Sequence, residues 1–268
     1  EEEALQLFEY PTSPGFPLAL SSKPAPALSP APKRPLQGQT EDQAQGPAMC
    51  RQRVLLALLV LLLALVAAPA QAPCGGQPDG RIVVTQFECG LPAGWEWQVR
   101  EGTPHYRIEG GVLDLTSNRD SFGLKREIKV DLAKFPYLNW RWKAEALPKG
   151  GDGRHAKTDD QAAQLYVIFP RWPYMLRSQI IGYTWDNLAP KGRPFPSPAR
   201  RLTQYVVLRD RSDRLKVWVS EKRNVYEDYK RLFGGTPPGV GGITLYINSQ
   251  HTGSSAKAAF ADVYFSRN

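Results

Sequence analysis

From residue 81 onward the chain consists of short runs in which apolar and polar side chains alternate, and Gly, Pro, Asn or Asp separates the runs. Side chains of a β-strand point to its two faces in turn, so this period of two predicts strands with one buried face and one wet face. In the segment YLNWRWKAEAL one face carries Leu138, Trp140, Trp142 and Ala144. We expect these side chains to lie in a hydrophobic core.

The number of such runs predicts the fold class. About ten runs follow one another, a density typical of two packed sheets. They span residues 81–88, 105–117, 122–132, 137–147, 159–169, 178–187, 204–210, 215–221, 242–249 and 258–266. We predict an all-β fold, a two-sheet β-sandwich of jelly-roll type, rather than a barrel with helices.

One segment, NVYEDYKRLFGGTPP, departs from the period of two. Apolar residues recur at helical spacing from Val225 to Phe233, which predicts a short helix. Asn224 and Glu227 resemble a capping box at its start, and Gly234 is typical of a helix end. We expect this one short helix to pack on the sandwich.

The N-terminal part of the chain predicts a segment that lies outside the sandwich. Residues 1–48 are rich in Pro and have few periodic apolar residues. Such a composition cannot bury enough surface to offset chain entropy, so we expect a disordered extension. Met49 is the candidate start of translation, and residues 1–48 would then precede the translated protein.

Residues 49–72 have the order of basic, apolar and small residues that is typical of a secretory signal peptide. Arg51 and Arg53 precede an apolar run from Val54 to Ala68. That run has about 15 residues, whereas a membrane-spanning helix needs roughly 20. We therefore favour a cleaved signal peptide over a transmembrane helix, and we expect a periplasmic or secreted protein with no stable membrane span.

The mature chain would comprise a linker at residues 73–80 and a β-sandwich domain at residues 81–268. Its cysteines are Cys74 and Cys89, which are candidates for one disulfide in an oxidising compartment. The alternative for Cys74 is lipidation as the first residue of a lipoprotein. Pro73 and the small residues before it favour ordinary cleavage after Ala72.

The formal net charge is +8 and the isoelectric point is about 9.4. The basic residues are spread among acids and form no nucleic-acid-binding motif, so we expect no nucleic-acid partner. The charge favours attraction to anionic polymers of the cell envelope. The sequence makes no prediction of an oligomeric state.

Metal and cofactor motifs are absent from the sequence. The chain has three histidines, at 105, 155 and 251, and none has a metal-binding neighbour at useful spacing. There is no nucleophile elbow, phosphate-binding loop or C-x-x-C motif. We predict no metal site and no cofactor, with a structural calcium ion between loop carboxylates as the alternative.

The segment DDQAAQLYVIFPRWPY, residues 159–174, is the first candidate site. Adjacent strand residues point to opposite faces, so Asp159 and Asp160 cannot serve one substrate together. For acid/base chemistry Asp160 would need Asp186 or Glu221 as its partner, with Arg141 stabilising charge. The structural alternative is that the two aspartates cap the start of the strand.

Aromatic residues around this segment predict a ligand-binding surface, because sugar rings pack their apolar faces on aromatic rings while polar groups bind the hydroxyls. Trp172 and Trp185 are the preferred aromatic candidates, since they lie in or beside loops. The full set of ligand-binding candidates is Asp160, Gln164, Tyr166, Trp172, Tyr183, Trp185 and Arg223.

Five motifs occur in order along the chain: WRWK, DDQAAQLYVIF, YTW, EKRNVYEDYKRLFG and ADVYF. Together they resemble a family of exported bacterial proteins known only as a domain of unknown function. The resemblance covers nearly all of residues 81–266 and implies an exported β-sandwich domain. It implies no activity, catalytic residue or cofactor.

Three functions fit these features. The leading hypothesis is an exported β-sandwich that binds carbohydrate or another envelope polymer. The alternative is an enzyme, a hydrolase or lyase that cleaves polysaccharide with paired carboxylates. The third is an envelope scaffold that uses the helix and the loops as a protein interface.

Overall fold

The computed structural model describes residues 80–268 of the 268-residue chain. Within these residues the chain forms thirteen strands: β1 (Arg81–Val83), β2 (Trp95–Glu101), β3 (His105–Glu109), β4 (Val112–Asn118), β5 (Ser121–Val130), β6 (Tyr137–Ala146), β7 (Ala163–Phe169), β8 (Gln179–Trp185), β9 (Phe195–Pro196), β10 (Thr203–Arg209), β11 (Val219–Asn224), β12 (Val240–Asn248) and β13 (Ser255–Ser266). The helices are α1 (Tyr174–Arg177), α2 (Val225–Phe233) and a 3₁₀ turn at Phe87–Cys89.

The strands form two sheets. A six-stranded sheet has the order β11-β6-β13-β4-β3, and β1 also pairs with β13. A seven-stranded sheet has the order β2-β5-β12-β7-β8-β10-β9. Neighbours are antiparallel except β8 and β10, which are parallel and are joined by a long crossover through residues 186–202. The predicted all-β sandwich is confirmed.

The main core lies between the sheets and is rich in aromatic rings. The predicted core residues of β6 are at most 1% exposed: Leu138, Trp140, Trp142 and Ala144. Two of them meet rings of β8 across the sandwich, because the ring centroids of Trp140 and Tyr183 are 5.3 Å apart and those of Trp142 and Trp185 are 5.9 Å apart. These contacts join the two sheets.

Helix α2 confirms the predicted helix. Asn224 is its N-cap, and its side-chain oxygen accepts a hydrogen bond from the backbone N–H of Glu227 at 3.1 Å. The helix ends at Gly234, whose φ of +75° is unfavourable for residues with a side chain. Buried Asp228 accepts a hydrogen bond from the Tyr183 hydroxyl at 2.8 Å, which ties the helix to β8.

Strand β2 was not among the predicted runs. It reads WEWQVRE, and its inward residue Trp95 is buried whereas most of the strand is half-buried or exposed. It lies at the edge of the seven-stranded sheet. Its residues Trp95, Trp97 and Val99 do alternate with polar residues, so the sequence carried the signal for this strand and the prediction missed it.

The predicted extension, signal peptide and most of the linker lie outside the described residues. Cys74 lies outside them too, and the side chain of Cys89 is not described, so the disulfide stays a prediction. Export and the domain boundaries likewise stay predictions. Within residues 80–268 no helix is long and apolar enough to cross a membrane.

Candidate functional site

The outward side of the seven-stranded sheet carries a second cluster of side chains, separate from the main core. On β7, Leu165 and Val167 face the main core, whereas Tyr166 and Ile168 face outward. The outward cluster consists of Tyr166, Ile168, Ile180, Tyr205 and Tyr246, with Phe195 packed against it. We call this side of the sheet the tyrosine face.

Two glycines let the tyrosine rings lie against the sheet. Gly182 is in register with Tyr166 on β7 and with Tyr205 on β10. A Cβ atom on Gly182 would lie 2.8 Å from a carbon of each ring. Gly123, in register with Tyr246, leaves room for that ring in the same way. The rings of Tyr166 and Tyr205 are nearly parallel, with an interplanar angle of 15°.

Amide and hydroxyl groups connect the rings. The Tyr166 hydroxyl donates to the side-chain oxygen of Gln164, and the Gln164 amide donates to the Asn248 oxygen at 2.6 Å. The hydroxyls of Ser121 and Tyr246 are 2.6 Å apart. This network holds the polar edges of the face in place.

Two threonines of the tyrosine face keep unused hydrogen-bonding capacity. Thr184 and Thr244 are fully buried, and their hydroxyl oxygens have no hydrogen-bond partner within residues 80–268. Both lie at outward positions of their strands, because Thr184 is in register with Gln164 and Thr244 with Tyr166. A buried hydroxyl without a partner is unfavourable, so a polar group that reached it would be stabilising.

A cavity of about 810 Å³ opens at one end of the tyrosine face. Its lining includes Lys125 and Ile168 from the face itself and Pro170 and Tyr174 from the segment after β7. The Lys125 side chain is only 3% exposed, and its ammonium lies 3.1 Å from the Glu127 carboxylate. The volume is within the range that small-molecule and oligomer sites use.

Two buried carboxylates lie at the opposite end of β7 and β8. Asp159 lies four residues before Ala163, the first residue of β7, and Asp186 directly follows β8. The Asp159 carboxylate accepts hydrogen bonds from the Gln161 amide at 2.8 Å and from the Tyr205 hydroxyl at 3.4 Å. Tyr205 therefore links Asp159 to the tyrosine face.

Asp186 is held by backbone groups. Its carboxylate accepts hydrogen bonds from the N–H groups of Gly153 at 3.0 Å, Leu188 at 3.0 Å and Ala189 at 2.8 Å. These bonds fix the turn that follows β8 and bring residues 152–153 against it. Such a turn is the usual place for an aspartate whose side chain bonds to the backbone of following residues.

Both carboxyl groups have pKa values close to neutrality. Burial, with a smaller contribution from the negative charge of Asp186, raises the pKa of Asp159 to about 7, and the hydrogen bonds from Gln161 and Tyr205 oppose this rise. Burial also raises the pKa of Asp186 to about 6, against the backbone hydrogen bonds. Carboxyl groups of this kind are typical of sites that exchange protons.

Asp160, which was predicted as a catalytic and ligand-contacting residue, is hydrogen-bonded within the chain, and its role in a site stays a prediction. Its side chain is fully buried. The carboxylate accepts hydrogen bonds from the backbone N–H of His251 at 3.2 Å and of Thr252 at 2.7 Å, and from the Thr252 hydroxyl at 2.7 Å. It holds the turn after β12, and the carboxyl group electrostatically coupled to Asp186 is Asp159.

Tyr183 and Trp185, which were predicted as ligand contacts, belong to the main core. Both are fully buried and pack on Trp140 and Trp142. The alternation of β8 explains this, because Tyr183 and Trp185 point inward while Thr184 between them points outward. A surface ligand cannot reach their rings.

The predicted charged residues lie away from the tyrosine face. Arg141 forms an ion pair with Asp262 on the six-stranded sheet. Glu221 accepts hydrogen bonds from Arg209 at 2.7 Å and from the Trp142 indole at 3.2 Å. The structure does not bring Arg141 or Glu221 together with Asp160 or Asp186.

The remaining candidates have different positions. Arg223 pairs with Asp228 at 2.7 Å and thus supports helix α2. Gln164 and Tyr166 lie on the tyrosine face, where a ligand role stays a prediction. Trp172 is 75% exposed in the segment before α1 and is not among the residues that line the cavity.

Of the two aspartates that it considered, Asp159 and Asp160, sequence reasoning chose Asp160 as the site residue. It did not single out Tyr205, Tyr246 or Lys125. The alternation of their strands carries a signal, since Tyr246 falls between the inward residues Leu245 and Ile247. The order of strands in the sheet was needed to bring these residues together. Within the described part of the chain no three His, Cys, Asp or Glu residues form a metal-binding group.

The two facing sheets, the aromatic core and the outward tyrosine face place the protein in the class of β-sandwich proteins. The chain belongs to the family DUF3047, described as protein of unknown function, whose model matches residues 93–264. This confirms the resemblance to a domain of unknown function. Among curated proteins, none matches the chain.

Solved structures with a similar fold have diverse roles. The family 11 carbohydrate-binding module of a cellulosomal cellulase from Clostridium thermocellum has a TM-score of 0.41 and 9% identity, over 72% of this chain and 97% of that chain. The xyloglucanase domain of NopAA from Sinorhizobium fredii has a TM-score of 0.39 and 9% identity, over 72% of this chain and 100% of that chain. An adhesin domain of Lys-gingipain from Porphyromonas gingivalis has a TM-score of 0.34 and 12% identity, over 70% of this chain and 98% of that chain. These likenesses concern the fold and leave function to the site.

Proposed function

We propose that the protein binds carbohydrate along the outward side of the seven-stranded sheet. The ligand would be a chain of an extracellular or envelope polysaccharide. The observation that carries the proposal is the cavity of about 810 Å³, which is continuous with the tyrosine face through Lys125 and Ile168. The cavity combines the ring of Tyr174 with the charged groups of Lys125 and Glu127. A flat ring beside fixed polar groups suits sugar rings, which have apolar faces and hydroxyl edges.

The polar groups of the site support a neutral, hydroxyl-rich ligand. Lys125 and Glu127 offer a donor and an acceptor side by side at the cavity. A sugar hydroxyl both donates and accepts hydrogen bonds, so one ligand type satisfies every group in this set.

The test is a glycan array combined with a polysaccharide pull-down, using the full chain. Tyr174 lines the cavity and is 38% exposed, so Tyr174→Ala removes contact area without opening the core. We expect it to weaken binding about tenfold, which corresponds to about 1.4 kcal/mol. Tyr106→Ala is the matched control, because Tyr106 is 50% exposed on the other sheet.

Binding that is equal in both variants would place the ligand elsewhere on the molecule. No retention of any glycan by the folded wild-type chain would contradict the proposal itself. Circular dichroism of each variant distinguishes a lost site from a lost fold.

A second function, polysaccharide cleavage, is favoured by one observation. Asp159 and Asp186 have pKa values of about 7 and about 6, and Asp159 is hydrogen-bonded to Tyr205 of the tyrosine face. A carboxyl group that keeps its proton near neutral pH is suited to general acid catalysis. Release of new reducing ends by the wild-type chain, abolished in Asp159→Asn, is the result expected of an enzyme.

A further inference from the structure

The segment between β7 and β8 exposes large apolar side chains. Trp172 and Leu176 are 75% and 74% exposed, the two highest values among the large apolar residues of the described chain. Arg171 and Arg177 stand at the two ends of this stretch. We call residues 171–177 the arginine-flanked tip.

Hydrogen bonds hold the tip in a defined shape. The backbone N–H groups of Leu176 and Arg177 donate to the Pro173 carbonyl at 3.1 and 3.0 Å. The Arg171 N–H donates to the Ser178 hydroxyl at 3.2 Å, which closes the base of the tip. Trp172 and Leu176 are therefore exposed on an ordered turn rather than on a frayed one.

A second basic segment lies beside the tip. The Arg200 guanidinium donates to the Ser178 carbonyl at 2.8 Å, and Arg201 follows it on the surface. The stretch from residue 161 to residue 209 contains seven Lys and Arg residues but only one acid, buried Asp186. Arg177 and Arg201 are exposed and form no ion pair with any carboxylate of residues 80–268.

Carboxylates do occur across the cavity from Tyr174, namely Glu127 and Asp131. Each of them has a lysine beside it, since Lys125 lies 3.1 Å from Glu127 and Lys134 lies 3.7 Å from Asp131. Arg177 and Arg201 thus add exposed positive charge to a region with two exposed apolar side chains.

We infer that the arginine-flanked tip docks on an anionic lipid surface. Trp172 and Leu176 enter the boundary between headgroups and acyl chains, while Arg177 and Arg201 contact anionic headgroups. Tryptophan favours this boundary, and basic residues are attracted to the negative surface potential of anionic lipids.

The observations favour lipid over an anionic polysaccharide as the occupant. A polysaccharide could stack on Trp172 and pair with the arginines. It would leave the aliphatic side chain of Leu176 in water, whereas acyl chains would cover it. An exposed apolar pair within a basic rim is typical of an interaction site.

Tryptophan fluorescence with lipid vesicles tests this inference on the full chain. The seven tryptophans of the protein are Trp95, Trp97, Trp140, Trp142, Trp172, Trp185 and Trp218. None of them lies in the apolar run at 54–68. Tryptophan emission therefore reports on the sandwich domain, even if the apolar run itself binds the chain to a vesicle. Vesicles of phosphatidylcholine with about one-third phosphatidylglycerol and with brominated acyl chains are the probe.

We expect these vesicles to shift the emission to the blue and to quench it. Trp172→Phe should abolish most of the quenching while the chain still sediments with the vesicles. Leu176→Ser should weaken the affinity for vesicles, as measured by quenching, about tenfold. The double variant Arg177→Gln with Arg201→Gln should remove the preference for anionic vesicles and the dependence on salt.

Val217→Ser is the matched control, because Val217 is 41% exposed outside the tip. It should behave like the wild type. Quenching that persists in Trp172→Phe would overturn the inference, since another tryptophan would then be inserted. Equal quenching by purely zwitterionic vesicles would overturn the role of the arginines.

A response of Trp172 to soluble alginate but not to brominated vesicles would show that the tip binds anionic polysaccharide instead. Glycan binding at the cavity is read separately, as retention of glycans by the wild-type chain in the absence of vesicles, because Tyr174 itself belongs to the tip. Failure of lipid docking therefore does not affect the proposed function, and loss of glycan binding does not affect the tip.

Discussion

Two adjacent aspartates at the start of β7 have opposite surroundings. Asp160 meets two backbone N–H groups and a hydroxyl of the turn after β12. Asp159 meets one amide and one tyrosine hydroxyl, and it shares its surroundings with Asp186. Burial, together with the negative charge of Asp186, raises the pKa of Asp159 against its two hydrogen bonds.

The pKa of Asp159 predicts how stability depends on pH. In the folded state this pKa is about 7, above the ordinary 3.8. Below pH 4 the carboxyl group is protonated in both the folded and the unfolded state, so its contribution to the free energy of unfolding is fully present. As pH rises through 7 the unfolded state ionises first, and the free energy of unfolding falls by up to about 4 kcal/mol. Denaturant unfolding at several pH values measures this change.

The amide side chain in the Asp159→Asn variant cannot ionise. We therefore expect the free energy of unfolding of this variant to fall less than that of the wild type between pH 4 and pH 8. The exposed substitution Asp131→Asn is the control and should follow the wild-type curve. Parallel curves for Asp159→Asn and the wild type would show that Asp159 does not keep its proton in the folded state.

At the scale of elements, helix α2 is attached to the sandwich by its cap and by one buried carboxylate. Asp228 accepts hydrogen bonds from the Tyr183 hydroxyl and from the guanidinium groups of Arg223 and Arg231. The helix has nine residues, which is too short for stability in isolation. Contacts with β8 and β11 therefore stabilise it.

The N-cap of α2 gives a prediction at this scale. Asn224→Ala removes the acceptor for the Glu227 N–H, and we expect a loss of about 1 kcal/mol in the free energy of unfolding. Asn224→Asp keeps an acceptor at the same position and should retain most of the stability. Equal losses in the two variants, measured by urea unfolding, would assign the effect to something other than the cap.

At the scale of the whole molecule, aromatic rings from β6 and β8 join the two sheets. Trp142 is fully buried, contacts Trp185 and Phe260, and donates its indole N–H to Glu221. Removal of such a side chain leaves a cavity at the centre of the sandwich.

We expect Trp142→Ala to lower the free energy of unfolding by about 3 to 5 kcal/mol. Trp172→Ala is the matched control, because the same substitution at a residue that is 75% exposed should change stability by no more than about 0.5 kcal/mol. Thermal and urea unfolding measure both. A large loss in Trp172→Ala would mean that the tip supports the fold.

The period of two in β6 was sufficient to predict the all-β class and the core residues Trp140 and Trp142, because alternation is a local property of a strand. The helix from Val225 to Phe233 was predictable for the same reason, since its period and caps lie within one segment. Strand β2 carries the same alternation at Trp95, Trp97 and Val99 and was missed.

Strand order and side-chain partners are not local properties, and only the tertiary structure determined them. Tyr205 and Tyr246 lie on one face because β10 and β12 both flank the β7-β8 pair, which no spacing in the sequence indicates. Likewise, Trp185 points inward and Thr184 outward because of the face that β8 turns to the core. The sequence determined the alternation of each strand, and the packing of two sheets determined which side of it became core and which became a site.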